Sequence, residues 1–131
     1  MTGRNKRLNA AAEVDRAGEC LEEARALLSA GLPYGVASRA YYAVFHGARA
    51  LLFSVGLEPK SHRAAVSMLG EHFIKRGLLS AAMGRLVARM QRDREDADYM
   101  TGAVFSLDQG RDLVTQAEQF LHEARRLLSG R

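Results

Sequence analysis

An all-α protein, an antiparallel up-and-down bundle of four main helices with a shorter one inserted, is what three features of the 131-residue sequence predict. Apolar residues recur at steps of three and four over long stretches, the spacing that lines one face of a 3.6-residue helix. β-Branched residues are scarce beside abundant Ala, Leu, Arg and Glu, which favours helix over strand. The two prolines, Pro33 and Pro59, fall between the periodic stretches and not inside them. Segments with one apolar face can hide it only against one another, and a bundle results.

The first helix is read from Val14, because Ala17, Leu21, Ala24 and Leu28 follow at helical steps with Asp15, Glu19, Glu22, Glu23 and Arg25 between them. "SAGLP", with Gly31 and Pro33, closes it. A second helix runs from about Pro33, a residue suited to a first turn, to about Val55, where Gly56 offers a stop. Its core stripe contains Val36, Ala40, Ala43 or Val44, and Leu51. After the turn "GLEPK", Ser61 caps a shorter helix that carries Ala65, Met68, Leu69, Phe73 and Ile74 and stops at Gly77. The fourth begins near Ser80 and places Met83, Leu86, Val87 and Met90 ahead of the charged "QRDREDADY". The last begins at Ser106, with Gln109 completing a capping-box pattern, and buries Leu107, Val114, Ala117, Leu121, Ala124 and Leu128. One domain over residues 9–128 is expected, with residues 1–8 and 129–131 frayed.

With 47% hydrophobic and 26% charged residues, the composition is that of a soluble globular protein able to fill a core. The net charge of +4 and a sequence pI of about 9.6 favour approach to a phosphate-bearing partner. One cysteine, Cys20, excludes an intramolecular disulfide and argues against a Cys-based zinc site, so a reducing compartment is the simpler expectation. The opening "MTGRNKRLNAAAEVDRAGEC" lacks the apolar core of a signal peptide, and no later run approaches a membrane span. A cytoplasmic protein is expected, with no membrane association.

The stretch "SRAYYAVFHGARALL" poses the chemical question. Arg39, Tyr42, His46 and Arg49 stand at i, i+3, i+7 and i+10, so they share one polar, basic stripe beside the core face. One account makes this the wetter face of an amphipathic helix, with aromatic bodies packed and polar tips hydrated. The other starts from chemistry: an imidazole can move protons near neutral pH, and a guanidinium can hold a phosphate with two hydrogen bonds. Together they suit phosphodiester cleavage without a metal.

Two further groups stand out. "RDREDADY" sets Arg92 with Asp96, and Arg94 with Asp98, at i, i+4; surface ion pairs of roughly 0.2–0.5 kcal/mol each account for them. "PKSHR" gathers Lys60, Ser61, His62 and Arg63 at a helix start, either an anion site or an ordinary capped helix with a solvated His. His72, His122 and Cys20 show no metal-ligand spacing, and neither a glycine-rich phosphate loop nor a Ser-His-Asp signature is present, so neither metal nor cofactor is expected.

Taken in order, "SRAYYAVFHGARALL", "GLEPKSHRAAVSMLGEHFIKRG" and "RDREDADY" resemble the HEPN family of small prokaryotic helical domains, in the stand-alone form often encoded beside a minimal nucleotidyltransferase. The resemblance covers about residues 9–128. It implies a bundle of four or five helices, a homodimer, and, as in many members, a metal-independent endoribonuclease serving as the toxin of a toxin–antitoxin pair. Active family ribonucleases carry an Arg, a spacer of four to six residues and a His; Arg39 and His46, with six residues between, fit that pattern. The family mechanism makes His46 the general acid or base in attack of a ribose 2′-hydroxyl on the adjacent phosphate, and Arg39 the stabiliser of the transition-state charge. Tyr42, Arg49, Lys60, His62 and Arg94 are then expected to bind RNA or nucleotide, with Asp98 and Tyr99 packing beside the site. Two departures are visible: Ala40 follows the Arg where active members often have a polar residue, and Ala48 stands where some toxins carry a Tyr that the nucleotidyltransferase modifies with AMP. A catalytically silent nucleotide- or partner-binding module and a structural helical adaptor are the competing expectations.

Overall fold

A computed structural model describes residues 2–99 and 105–130; Met1 and Arg131, expected among the frayed ends, lie outside the described residues. The described residues form five α-helices: α1 (Gly3–Ser29), α2 (Pro33–Ser54), α3 (His62–Leu69), α4 (Ala81–Tyr99) and α5 (Leu107–Ser129). Among them there is no strand, and the all-α bundle expected from periodicity is the fold. Between α3 and α4 the helical path continues through a π-helical turn, Gly70–Ile74, where the Lys75 N–H donates to the Gly70 carbonyl at 2.9 Å.

α2 is the central element, packed against α1, α3, α4 and α5. It is apolar enough to be covered on most sides: Val36, Ala37, Ala40, Tyr41, Ala43, Val44, Ala48, Leu51 and Leu52 are buried. Pro33 opens it, and Gly56 at φ +81° ends the chain's helical course beyond Val55, a conformation that costs glycine little. At the other end of the chain Ser106 caps α5 reciprocally: its hydroxyl accepts from the Gln109 N–H, and the Gln109 side chain accepts from the Ser106 N–H. Both boundaries, the stop of α2 and the start of α5, were legible in the sequence.

Two boundaries differ from expectation. α1 starts at Gly3, with the Thr2 hydroxyl accepting from the Asn5 N–H at 3.1 Å, so residues 3–8, expected to fray, are helical. Its extra turns bury Ala10, whose single methyl carries too little apolar signal to mark a stripe. The third helix is interrupted: α3 ends at Leu69 and the ladder widens before Gly77, at φ +73°, stops it.

α1 presents a face of small residues, with Ala10, Ala17, Cys20 and Ala24 buried. Short side chains let backbones approach, and this brings the polar groups beside that face within reach of α2. Gly47 does the same on the opposite side of α2, where a Cβ would meet the Phe120 ring of α5 at 3.3 Å.

Candidate functional site

Arg39, Tyr42, His46 and Arg49 emerge together along the edge of α2, each partly buried. They are not left to water. The Glu13 carboxylate of α1 reaches across and takes two contacts at once: Oε2 lies 2.6 Å from His46 Nδ1, and Oε1 accepts from Arg49 Nε at 3.0 Å. Glu13 keeps only 15% of its side chain exposed. Burial pushes its carboxyl up, but the hydrogen bonds from His46 and Arg49 and the charge of Arg49 outweigh that, holding it below the usual carboxylate range. It is therefore ionised at neutral pH and can only accept, so the His46 Nδ1 must donate.

Arg39 is held about two turns before His46 on α2. Its Nη1 lies 3.9 Å from the Glu23 carboxylate of α1, its Nη2 reaches the Ser38 hydroxyl at 3.4 Å, and its guanidinium sits 5.1 Å above the Tyr42 ring. The ring of Tyr42 thus lies between Arg39 and His46, with the Tyr42 and His46 centroids 6.4 Å apart. The position after Arg39, Ala40, is fully buried, and a polar side chain there would point into the core. In this chain Ser38 and Glu23 supply the polar neighbours instead. Ala48 is equally buried, and as an alanine it carries no hydroxyl to modify.

Behind the stripe lies an aromatic cluster. The first residue of α3, His62, stacks on Phe45 with centroids 4.4 Å apart and an interplanar angle of 5°, and its Nδ1 pairs with the Tyr41 hydroxyl. Burial pushes the imidazole of His62 down, and the charge of Arg94 pushes it the same way. Burial likewise raises the Tyr41 phenol well above its ordinary range, so it remains a neutral donor. Arg94 of α4 covers the far side, its guanidinium 5.4 Å from the Tyr41 ring and 5.7 Å from that of Tyr42, and it pairs with Asp98 at 3.3 Å. The Arg94 Nε is buried without a hydrogen-bond partner.

The structure thus gathers Arg39, Tyr42, His46, Arg49, His62 and Arg94 into one region, with Asp98 behind Arg94. Lys60 is not part of it: its side chain is 81% exposed and its ammonium turns to Glu58 at 3.6 Å. Tyr99, expected to pack beside the site, is 74% exposed. Nor is the start of α3 an open anion cradle, since the Ser61 hydroxyl already accepts from the Ala64 N–H at 3.0 Å and His62 turns inward. Glu13 is the residue that periodicity missed. A signal existed: Glu13 follows Ala10 by three and precedes Ala17 by four, so it is an acid standing in the buried stripe of α1.

Among the described residues no group of three or more His, Cys, Asp or Glu side chains could hold a metal ion, and no helix is long and apolar enough to cross a membrane. An imidazole oriented by a carboxylate, beside guanidinium groups and at a partly exposed helix edge, can move a proton next to a bound anion.

The chain has named relatives. A Methanocaldococcus jannaschii protein named "Putative toxin MJ0605" is 31% identical over 115 residues, covering 88% of this chain and 85% of that one. A Thermotoga maritima UPF0332 protein is 31% identical over 113 residues, 86% of each chain, and a Gloeobacter violaceus UPF0332 protein is 32% identical over 117 residues, 88% and 93% of the two. The sequence profile of the HEPN domain matches residues 11–129, from the turn of α1 that carries Glu13 to the end of α5. With nearly every residue of the bundle and its basic edge inside that match, the chain belongs to the HEPN domain family.

Proposed function

We propose that this protein is a metal-independent endoribonuclease, the toxin of a toxin–antitoxin pair, in which Arg39 and His46 cleave RNA by 2′-hydroxyl attack. The observation that carries the reading is the pairing of His46 Nδ1 with the ionised Glu13, which leaves Nε2 as the nitrogen free to meet a substrate. In the reaction the 2′-oxygen forms a bond to phosphorus while the bond from phosphorus to the 5′-oxygen breaks. One proton leaves the 2′-hydroxyl and one arrives at the 5′-oxygen, giving a 2′,3′-cyclic phosphate and a 5′-hydroxyl. Nε2 of His46 takes the 2′-hydroxyl proton and delivers it to the departing 5′-oxygen, and Arg39 balances the charge that gathers on the phosphoryl oxygens. Tyr42, Arg49 and Arg94 line the approach of the chain of phosphates. Two copies form a homodimer with their Arg39–His46 pairs facing, in the cytoplasm, and a separately encoded minimal nucleotidyltransferase restrains the activity. The toxin part of this reading leans on the name of the Methanocaldococcus relative.

Purified wild type, His46→Ala and Arg39→Ala are compared on mixed RNA in the presence of a chelator. The expected result is cleavage by the wild type and a loss of about 10²-fold or more in either variant. Equal cleavage by all three would assign the activity to a contaminant and overturn the mechanism. Growth arrest on expression, relieved by the product of the neighbouring gene, tests the toxin reading.

A second reading, a silent nucleotide-binding module, is favoured by one observation: within one chain Arg39 is drawn to Glu23 while His46 is drawn to Glu13. It predicts that labelled nucleotide still binds His46→Ala but not Arg39→Ala, with no cleavage by either or by the wild type.

A further inference from the structure

The Glu13 carboxylate has two oxygens and two different donors, and the difference between those donors has a consequence. Arg49 offers Nε–H, a group that can only donate. His46 offers Nδ1, which donates or accepts according to tautomer. We propose that Glu13 is a positioning residue that selects the His46 tautomer: it accepts a hydrogen bond from Nδ1–H, leaves Nε2 as the unprotonated nitrogen, and is itself held in register by Arg49. This rests on the ribonuclease reading for its consequence in catalysis but not for its geometry.

A free imidazole prefers its proton on Nε2. A general base that must present Nε2 to a 2′-hydroxyl therefore needs a partner that pays for the other tautomer, and an acceptor on Nδ1 is such a partner. The lock is strict because Glu13 is not free to turn. Its Oε1 is committed to Arg49, its Oε2 to His46, and only 15% of the side chain is exposed.

This arrangement makes an isosteric substitution informative. In Glu13→Gln the amide oxygen must face Arg49, which cannot accept a proton, so the NH₂ must face His46. An NH₂ donates, and the Nδ1 opposite it must then be bare. Glu13→Gln thus reverses the tautomer and places the proton on Nε2 in nearly the same volume. Arg49→Met alone leaves the Glu13 carboxylate, which accepts at either oxygen, against His46, and so keeps the proton on Nδ1.

The test is ¹⁵N NMR of histidine-labelled full-length protein at a pH where the imidazoles are neutral, with the His46 signals identified by their loss in His46→Ala. The wild type is expected to show the Nδ1–H tautomer, Glu13→Gln the Nε2–H tautomer, and Arg49→Met, which keeps the carboxylate, the Nδ1–H tautomer of the wild type. An Nε2–H wild type, or a Glu13→Gln protein whose tautomer is unchanged, overturns the proposal. The wild-type spectrum decides even if a variant fails to fold. On RNA, Glu13→Gln is expected to lower kcat by about 10²-fold while KM holds, because Arg49 keeps its acceptor. A wild type that shows the Nδ1–H tautomer and cleaves no RNA overturns the ribonuclease reading and leaves the Glu13 assignment standing.

Discussion

Burial of the Glu13 carboxyl works against its charge, yet the contacts from His46 and Arg49 leave it lowered from the ordinary value of 4.5. A group whose folded pKa is depressed contributes stability that is present above its unfolded pKa and lost as pH falls through the folded one. Glu13 therefore supports the α1–α2 contact at neutral pH and loses that contribution below about pH 4.5. His62 acts in a higher window by the same sign: burial depresses it from 6.5, so acidification below about 6.5 charges the unfolded chain first and weakens the fold. Thermal denaturation followed across pH is expected to show a fall in Tm starting near pH 6.5 and steepening below pH 4.5. His62→Phe removes the first part and Glu13→Gln the second; a Tm flat from pH 7 to pH 4 would overturn both assignments. Arg39 offers a separate test, because Lys keeps the charge but not the planar fork. Arg39→Lys is expected to retain RNA binding and to lose about 10-fold or more in kcat, measured by single-turnover cleavage.

Helices meet here through small residues. Gly47 follows His46 directly and lets the Phe120 ring of α5 lie against the back of α2, where an added Cβ would stand 3.3 Å from it. Phe120 is fully buried and has no room to withdraw. Gly47→Leu is expected to destabilise the protein by about 1–3 kcal/mol in urea denaturation, a cost of overpacking. Ser106→Ala removes a cap hydroxyl that accepts from the Gln109 N–H at 3.1 Å and is expected to cost about 1 kcal/mol without touching the site. The helix ends of this kind were legible because a cap or a glycine stop is written within a few residues. The start of α1 was not, since its first turns are polar, Leu8 is 56% exposed, and the packing residue is the small Ala10.

Across the whole molecule the charge of +4 is a modest field, and it acts on association more than on fold. kcat/KM for RNA is expected to fall as salt is raised from 50 to 200 mM, while single-turnover cleavage at saturating protein changes little. A rate independent of salt would remove phosphate attraction from the reading. The face shared by Arg39, Tyr42, His46 and Arg49 follows from the period of one helix, and so the larger part of the candidate site was visible along the chain. Lys60 and Tyr99 show the limit of that reading: both stand in blocks near the site, yet both turn to solvent, and a block does not say which way each of its residues faces.

Sequence by itself determined the helical class, most of the helix ends and the polar stripe of α2, because each of these is set by neighbours within a turn or two. Tertiary structure alone decided that Glu13 meets His46 and Arg49 from 33 and 36 residues away, that His62 leaves solvent to stack on Phe45, and that Arg94 lies over Tyr41 and Tyr42. Those meetings depend on the register between helices. Register is settled by how small and large side chains interlock across the whole core, and no single period along the chain records it.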